Sequence, residues 1–189
     1  MKTIVHEIPY SPASNLDEEI FTASSVFFDI ETTGFSPAHT SLYLIGCAYH
    51  IEQMLYIKQF FAETPEEEKE VLEQFLLLLD GFDTIITLNG IGFDIPYLKA
   101  KCNTYECNEH FADFTYVDIF KSISQIKHIL QLPNYKQKTI EAFLGIGRDD
   151  LYSGGELIEI YHSYTKEPRP DKLEILLLHN YEDVLDMPA

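Results

Sequence analysis

At 189 residues, with 46% hydrophobic and 13% aromatic side chains, the chain has room for one sizeable core and is too apolar to be globally disordered. Thirty-one acidic residues against 13 basic ones leave a net charge of −18, which argues against a general polyanion binder that works by neutralising phosphates. Apolar runs such as LYLIGCAY and EILLLH fall far short of a membrane span, so no membrane partner is expected.

Residues 1–24, with Pro9, Pro12 and the acidic LDEE, read as a lead-in arm, and residues 25–189 as a single domain. No basic-then-apolar leader opens the chain, and Cys47, Cys102 and Cys107 suit a reducing compartment, so a cytoplasmic location is expected. Cys102, Cys107 and His110 stand at irregular spacing, a weak zinc case beside ordinary loop thiols. SSVFFDIE is a β-branched and aromatic strand, stopped by TTGFSP. SLYLIGCAYH and QMLYIKQFFA follow across a short polar break, giving an antiparallel meander of three strands. TPEEEKEVLEQFLLLLDGF opens with a Thr cap, proline and acids. Leu72, Phe75, Leu76 and Leu79 then form a helical stripe. DTIITLNG is a short strand, with a helix beginning at DIPYLKAKC.

Helical patterns around 118–130 and 138–144 follow FTYVD. Two further helices, GGELIEIYHSYTK and DKLEILLLHNYEDVLDM, are separated by EPRP. The order implies an α/β fold with a mixed sheet, three antiparallel strands and then parallel ones, flanked by helices. Only six residues follow Asp183, so the last helix can fray and the natural chain can extend past Ala189.

Three places carry candidate chemistry. Asp29 and Glu31 share one face of their strand while Phe28 and Ile30 pack on the other. Paired carboxylates repel unless a cation holds them ionised, and an all-oxygen set suits Mg²⁺ or Mn²⁺. A solvated strand end accounts for the pair equally well. Asp94, in LNGIGFDIPYL, sits where a loop turns into a helix, a position that also suits a plain cap. His179 and Asp183, in HNYEDV, are four apart and share a helical face, offering a metal ligand with an imidazole for the attacking water. Tyr181 lies off that face, and Glu182 and Asp186 read as surface. Asp118 reads as a cap or as an acid behind the site. The stretch Lys121–Lys138 holds four lysines and no acid, a phosphate track or simply a solvated face.

FDIETTG, NGIGFDIPYL and HNYEDV, in that order, resemble the three exonuclease motifs of the DEDD superfamily with a ribonuclease H-like fold. LPNYKQKTIEAFLGIGRDD, SGGELIEIY and the HN-x-x-D ending are similar to the YprB-like branch of bacterial ribonuclease H-like exonucleases. The resemblance spans roughly residues 25–187. It implies four metal-binding acids, Asp29, Glu31, Asp94 and Asp183, holding two ions of Mg²⁺ or Mn²⁺ about 4 Å apart. His179 would orient or deprotonate water, or hydrogen-bond Asp183 or a phosphate. Better-known members place a His five positions, or a Tyr four positions, before the last Asp; here a His takes the Tyr spacing. Thr32 would touch the terminal nucleotide, Asn89 would fix its loop or a sugar, and Phe35 or Phe93 would stack on a base. Lys136 and Lys138 are candidate phosphate contacts.

The implied activity is 3′-to-5′ exonuclease cleavage of single-stranded DNA or RNA. The alternatives are a catalytically idle module that docks nucleic acid or protein, and cleavage within strands as in ribonuclease H.

Overall fold

The β-branched and aromatic runs become one mixed sheet in the computed structural model, which describes residues 1–12 and 19–188. The expected arm's LDEE stretch lies, up to Glu18, outside the described residues. Strands β2 (Ser25–Thr32), β3 (Leu42–Ile51) and β4 (Met54–Phe61) form the antiparallel meander. Parallel strands then extend it: β5 (Thr84–Thr87) lies beside β2, and β6 (Thr115–Asp118) beside β5. At the opposite edge β1 (Lys2–Pro9) pairs antiparallel with β4, so the order is β1-β4-β3-β2-β5-β6. The opening residues thus do more than lead in. Their strand is mostly exposed, and its Pro9 stands at the end of an edge strand, where a missing N–H costs no ladder bond.

Helix α1 (Glu68–Leu79) follows a 3-10 turn, Pro65–Glu67. Thr64 occupies the expected cap position in extended conformation, but its side chain makes no cap bond. The apolar stripe buries Leu72, Phe75, Leu76 and Leu79 on the sheet face formed by Phe28 and Ile30. Phe28 and Phe75 meet edge to face at 5.0 Å. Each such side chain contributes roughly 1.5–3 kcal/mol. Helices α2 (Asp94–Tyr105), α3 (Ile119–Gln125), α4 (Lys127–Leu130) and α5 (Gln137–Leu144) follow. Helix α6 (Gly154–Lys166) starts from a capping box between Ser153 and Glu156, and its Tyr161 stacks on Tyr43 at 4.2 Å. None of the helices among the described residues is long and apolar enough to cross a membrane.

The last helix, α7 (Pro170–Asp186), lies across the strands, with Val184 packed among Phe27, Ala48, Ile57 and Ile86. Its seat depends on Gly46, which pairs with Asp29 across β2 and β3. A Cβ there would come within 2.1 Å of Asn180 Oδ1. Asn180 is wholly buried and links three strands. Its Oδ1 accepts from Gln59 Nε2 at 3.0 Å, and its Nδ2 donates to Asp29 O and Oδ2 at 3.4 and 3.3 Å. Gln59 Nε2 also donates to the Leu177 carbonyl at 2.9 Å. A glycine inside a strand often marks such a close approach.

Gly46→Ala forces a methyl into the Asn180 carboxamide, and denaturant unfolding is expected to show a loss of about 1–3 kcal/mol. An unchanged midpoint would mean that the helix is not seated on this glycine.

Candidate active site

Strand β2 sits in the middle of the sheet, and its register against β3 shifts between Glu31 and Thr32. Because β5 runs parallel to β2, the loop after it emerges at the same end as Glu31. In that loop Asn89 adopts a left-handed conformation (φ 66°), and its carbonyl accepts from the amides of Gly92 and Phe93 at 2.9 and 3.2 Å. Asp118, at the end of β6, accepts from the Asn89 and Ile91 amides at 3.0 and 3.4 Å and from the Lys121 amide at 3.3 Å. It is therefore both the cap of α3 and the brace behind the loop. The loop delivers Asp94, 7% exposed, at the first turn of α2.

Helix α7 brings the remaining groups. His179 Nε2 lies 3.6 Å from Glu31 Oε1 and 3.2 Å from Asp183 Oδ2. One ligand atom from each of Glu31, His179 and Asp183 falls within 4.8 Å of the others. Asp29 joins them through Asn180, and Asp94 through its field. Burial raises the Asp29 carboxyl well above its ordinary range, and the charges of Asp183, Asp94 and Glu31 add to this against the Asn180 donor. Glu31 is raised likewise by burial, then by Asp183, Asp94 and Asp150, with the Tyr43 hydroxyl opposing. Asp94 is pushed up to about 7, chiefly by burial, although its own amide and that of Ile30 work against the shift. Among the described residues, no lysine or arginine pairs with Asp29, Glu31 or Asp94. Carboxylates grouped in this way titrate upward unless a cation holds them ionised.

The loop GIGRDD, between α5 and α6, supplies groups that the motifs do not contain. Arg148, whose side chain is 6% exposed, donates from Nη1 to Asp183 Oδ1 at 2.6 Å and to Glu141 Oε1 at 3.0 Å, and from Nη2 to the His179 carbonyl at 3.1 Å. Its Nε lies 3.3 Å from Glu182 Oε2. Glu182 is not surface: it is 8% exposed and accepts from the Asp149 and Asp150 amides at 2.8 and 3.0 Å. Asp186 is partly buried as well, and burial together with the Glu141 charge pushes it up to about 6. The side of α7 that helical spacing assigns to solvent is covered in both places, over Glu182 by a loop with no periodicity of its own and beside Asp186 mainly by α5. Asp150 meets His179 Nδ1 at 2.6 Å. Burial alone would raise Asp150, but the Lys138 ammonium, the Tyr152 amide and His179 hold it below the usual carboxylate range.

The expected nucleotide contacts are placed unevenly. Phe35 is 89% exposed and stands edge-on to Phe93 at 5.8 Å, beside Asp94. The Thr32 hydroxyl donates to the Gly34 carbonyl at 2.9 Å and so holds the turn after β2. Asn89 is exposed and shapes its loop through its backbone. Lys138 is engaged, donating to Asp150 Oδ2 and the Tyr152 carbonyl, both at 2.6 Å. Lys136 stands exposed at the start of α5.

The sequence model of the RNase_H superfamily matches residues 26–189, and the chain belongs to that superfamily. It is 29% identical over 165 residues to the uncharacterized protein YprB of Bacillus subtilis. That match covers 85% of this chain and 39% of YprB, so the chain spans well under half the length of this relative. Its fold is similar to the family B DNA polymerase of the archaeon Pyrobaculum calidifontis, with a TM-score of 0.68 at 18% identity over 85% of this chain and 23% of the polymerase. It is also similar to E. coli exonuclease I, solved as a zinc-bound complex with single-stranded DNA, with a TM-score of 0.50 at 14% identity over 85% of this chain and 44% of that one.

Folded Asp94 holds its proton more tightly than the ordinary aspartate of pKa 3.8. Its contribution is therefore fully present below pH 3.8 and is lost as pH rises through about 7. In chelator-treated protein, Asp94→Asn should gain on the wild type across that window, by up to a few kcal/mol in thermal unfolding. Parallel pH–stability curves would show that Asp94 does not carry this strain.

Proposed function

We propose that this chain is a metal-dependent DEDD-type nuclease domain, residues 25–189, that trims single-stranded DNA or RNA from the 3′ end. This reading is supported by Asp29, Glu31, Asp94 and Asp183, acids from β2, α2 and α7: the charges of Asp94 and Asp183 bear on both acids of β2, and three of the four lack any lysine or arginine partner among the described residues. The residues fit a hard divalent cation: the donors are carboxylate oxygens, and partly buried carboxylates without a counter-charge are otherwise costly. Asp29, Glu31, Asp94 and Asp183 would hold Mg²⁺ or Mn²⁺ in a pair. When bound, such ions supply an activated water and stabilise the leaving oxygen.

The chain's own residues do the rest. His179 Nε2 faces Glu31 and Asp183 and takes the proton of the attacking water. Phe35 and Phe93 form an aromatic rim on which a terminal base stacks. The superfamily, together with the likeness to exonuclease I and to a family B polymerase, supports nuclease chemistry of this kind. A second reading, an idle docking module, is favoured by Arg148, which already neutralises one oxygen of Asp183. The other oxygen still faces His179, so the enzyme reading is preferred. Micromolar-to-millimolar Mn²⁺ binding in calorimetry separates the two.

Asp29→Ala should lower Mn²⁺-dependent release of mononucleotides from a labelled oligonucleotide by at least about a thousandfold, roughly 4 kcal/mol of barrier. A clean preparation of the variant that keeps wild-type release would sink the assignment. Circular substrates should resist cleavage, and cutting them would point to cleavage within strands instead. Phe35→Ala, at an exposed position, should weaken oligonucleotide binding by about 1–3 kcal/mol with kcat largely kept. Equal KM values would remove the stacking role.

A further inference from the structure

His179 has two ring nitrogens, and they face different chemistry. Nε2 looks toward Asp183 Oδ2 and Glu31 Oε1, 3.2 and 3.6 Å away. Nδ1 looks away from them, into Asp150 Oδ2 at 2.6 Å. The Asp150 side chain is 1% exposed, and it is surrounded by donors. Lys138 Nζ donates to Oδ2 at 2.6 Å, the Tyr152 amide donates to Oδ1 at 3.0 Å, and Arg148 Nη2 lies 3.6 Å from Oδ2. A carboxylate held between two cations and a backbone amide has no proton of its own to give, so in these contacts it only accepts. In the neutral ring the hydrogen therefore sits on Nδ1, and Nε2 carries the lone pair.

The support behind Asp150 is built into the same helix. Glu182, three residues after His179, accepts from the amides of Asp149 and Asp150. Arg148 ties the loop to the His179 carbonyl and to Asp183. The loop is thus pinned to α7 on both sides of the imidazole. A turn-forming role for Asp150 explains its Oδ1 contact with Tyr152 but not the aim of Oδ2.

We propose that Asp150 is a positioning residue that fixes the proton of His179 on Nδ1 and so presents Nε2 as the ring's only basic atom to whatever the four clustered acids hold. In kinetic terms the inference rests on the nuclease reading. In spectroscopic terms it stands on the His179–Asp150 geometry alone. It places a functional group in the GIGRDD loop, outside all three acid-bearing motifs. The role needs only that Nε2 keep a lone pair to receive a proton from water.

The test is ¹⁵N NMR of histidine-labelled protein with Mg²⁺, followed as pH is raised until the ring signals no longer change. The His179 signal is assigned by its loss in His179→Gln. The expected wild-type pattern is a protonated Nδ1 with an unprotonated Nε2, and Asp150→Ala should shift the ring toward a mixture of both forms. In the same variant kcat on an oligonucleotide should fall about 10- to 100-fold, with KM and Mn²⁺ affinity within about twofold of wild type. A wild-type ring protonated on Nε2, or an Asp150→Ala ring with unchanged protonation, would overturn the proposal. So would an unchanged kcat at saturating metal accompanied by a loss of Mn²⁺ affinity. Should Asp150→Ala fail to fold, the wild-type spectrum decides by itself. Should the wild type hydrolyse nothing, the nuclease reading fails while the spectra still judge Asp150.

Discussion

A helix can bring His179 and Asp183 to the acids of β2 only by lying very close to the sheet, and it does so where β3 has no side chain. Gly46 leaves the space that Asn180 fills. Asn180 then reaches Asp29 on one side and Gln59 on the other. Both polar atoms of the buried Asn180 amide have partners, the condition under which burying it is tolerable. Side-chain contacts thus lock α7 to β2 and β4 across β3, and the geometry of the site follows from that lock.

The electrostatics work against this closeness. Burial raises the carboxyls of Asp29, Glu31 and Asp94, and the charges of Asp183 and Asp94 raise Asp29 and Glu31 further. The protein offsets part of the charge with Arg148, whose guanidinium is shared among Asp183, Glu141 and the carbonyl of His179. Arg148 contacts Asp183, and the acids of β2 and α2 have no lysine or arginine partner among the described residues. The fold therefore holds a partly neutralised cluster, stiff on the α7 side and open in charge on the β2 side. That asymmetry suits a site that accepts cations from solvent. Under the proposed function, a chain of net charge −18 would meet a polyanion through bound metal and an aromatic rim, without a basic surface.

Much of this was legible in the residues. Alternation in FFDIE separates Asp29 and Glu31 from Phe28 and Ile30, and the core is built that way. The stripe Leu72, Phe75, Leu76 and Leu79 is buried as helical spacing requires. The four-residue spacing of His179 and Asp183 places both over Glu31. What stayed hidden has specific causes. Strand β1 is exposed along most of its length, so its alternation is weak, and its flanking prolines suggest an arm. GIGRDD has no period, and its arginine and aspartates acquire meaning only when the loop folds onto α7. Glu182 reads as solvated because its partners are two backbone amides and an arginine in a loop more than thirty residues away, none of which leaves a mark beside it in the sequence. Gly46 did carry a signal, a glycine inside the apolar run LYLIGCAY, but the group it admits lies far away in the chain.

Four acids from three elements, β2, α2 and α7, would form one cation site, and anomalous diffraction from a crystal soaked in Mn²⁺ tests this most directly. Two peaks about 3.5–4 Å apart, each within bonding distance of carboxylates drawn from Asp29, Glu31, Asp94 and Asp183, are the expected result. Manganese found only elsewhere on the surface, with these side chains unmoved and uncoordinated at saturating metal, would contradict it.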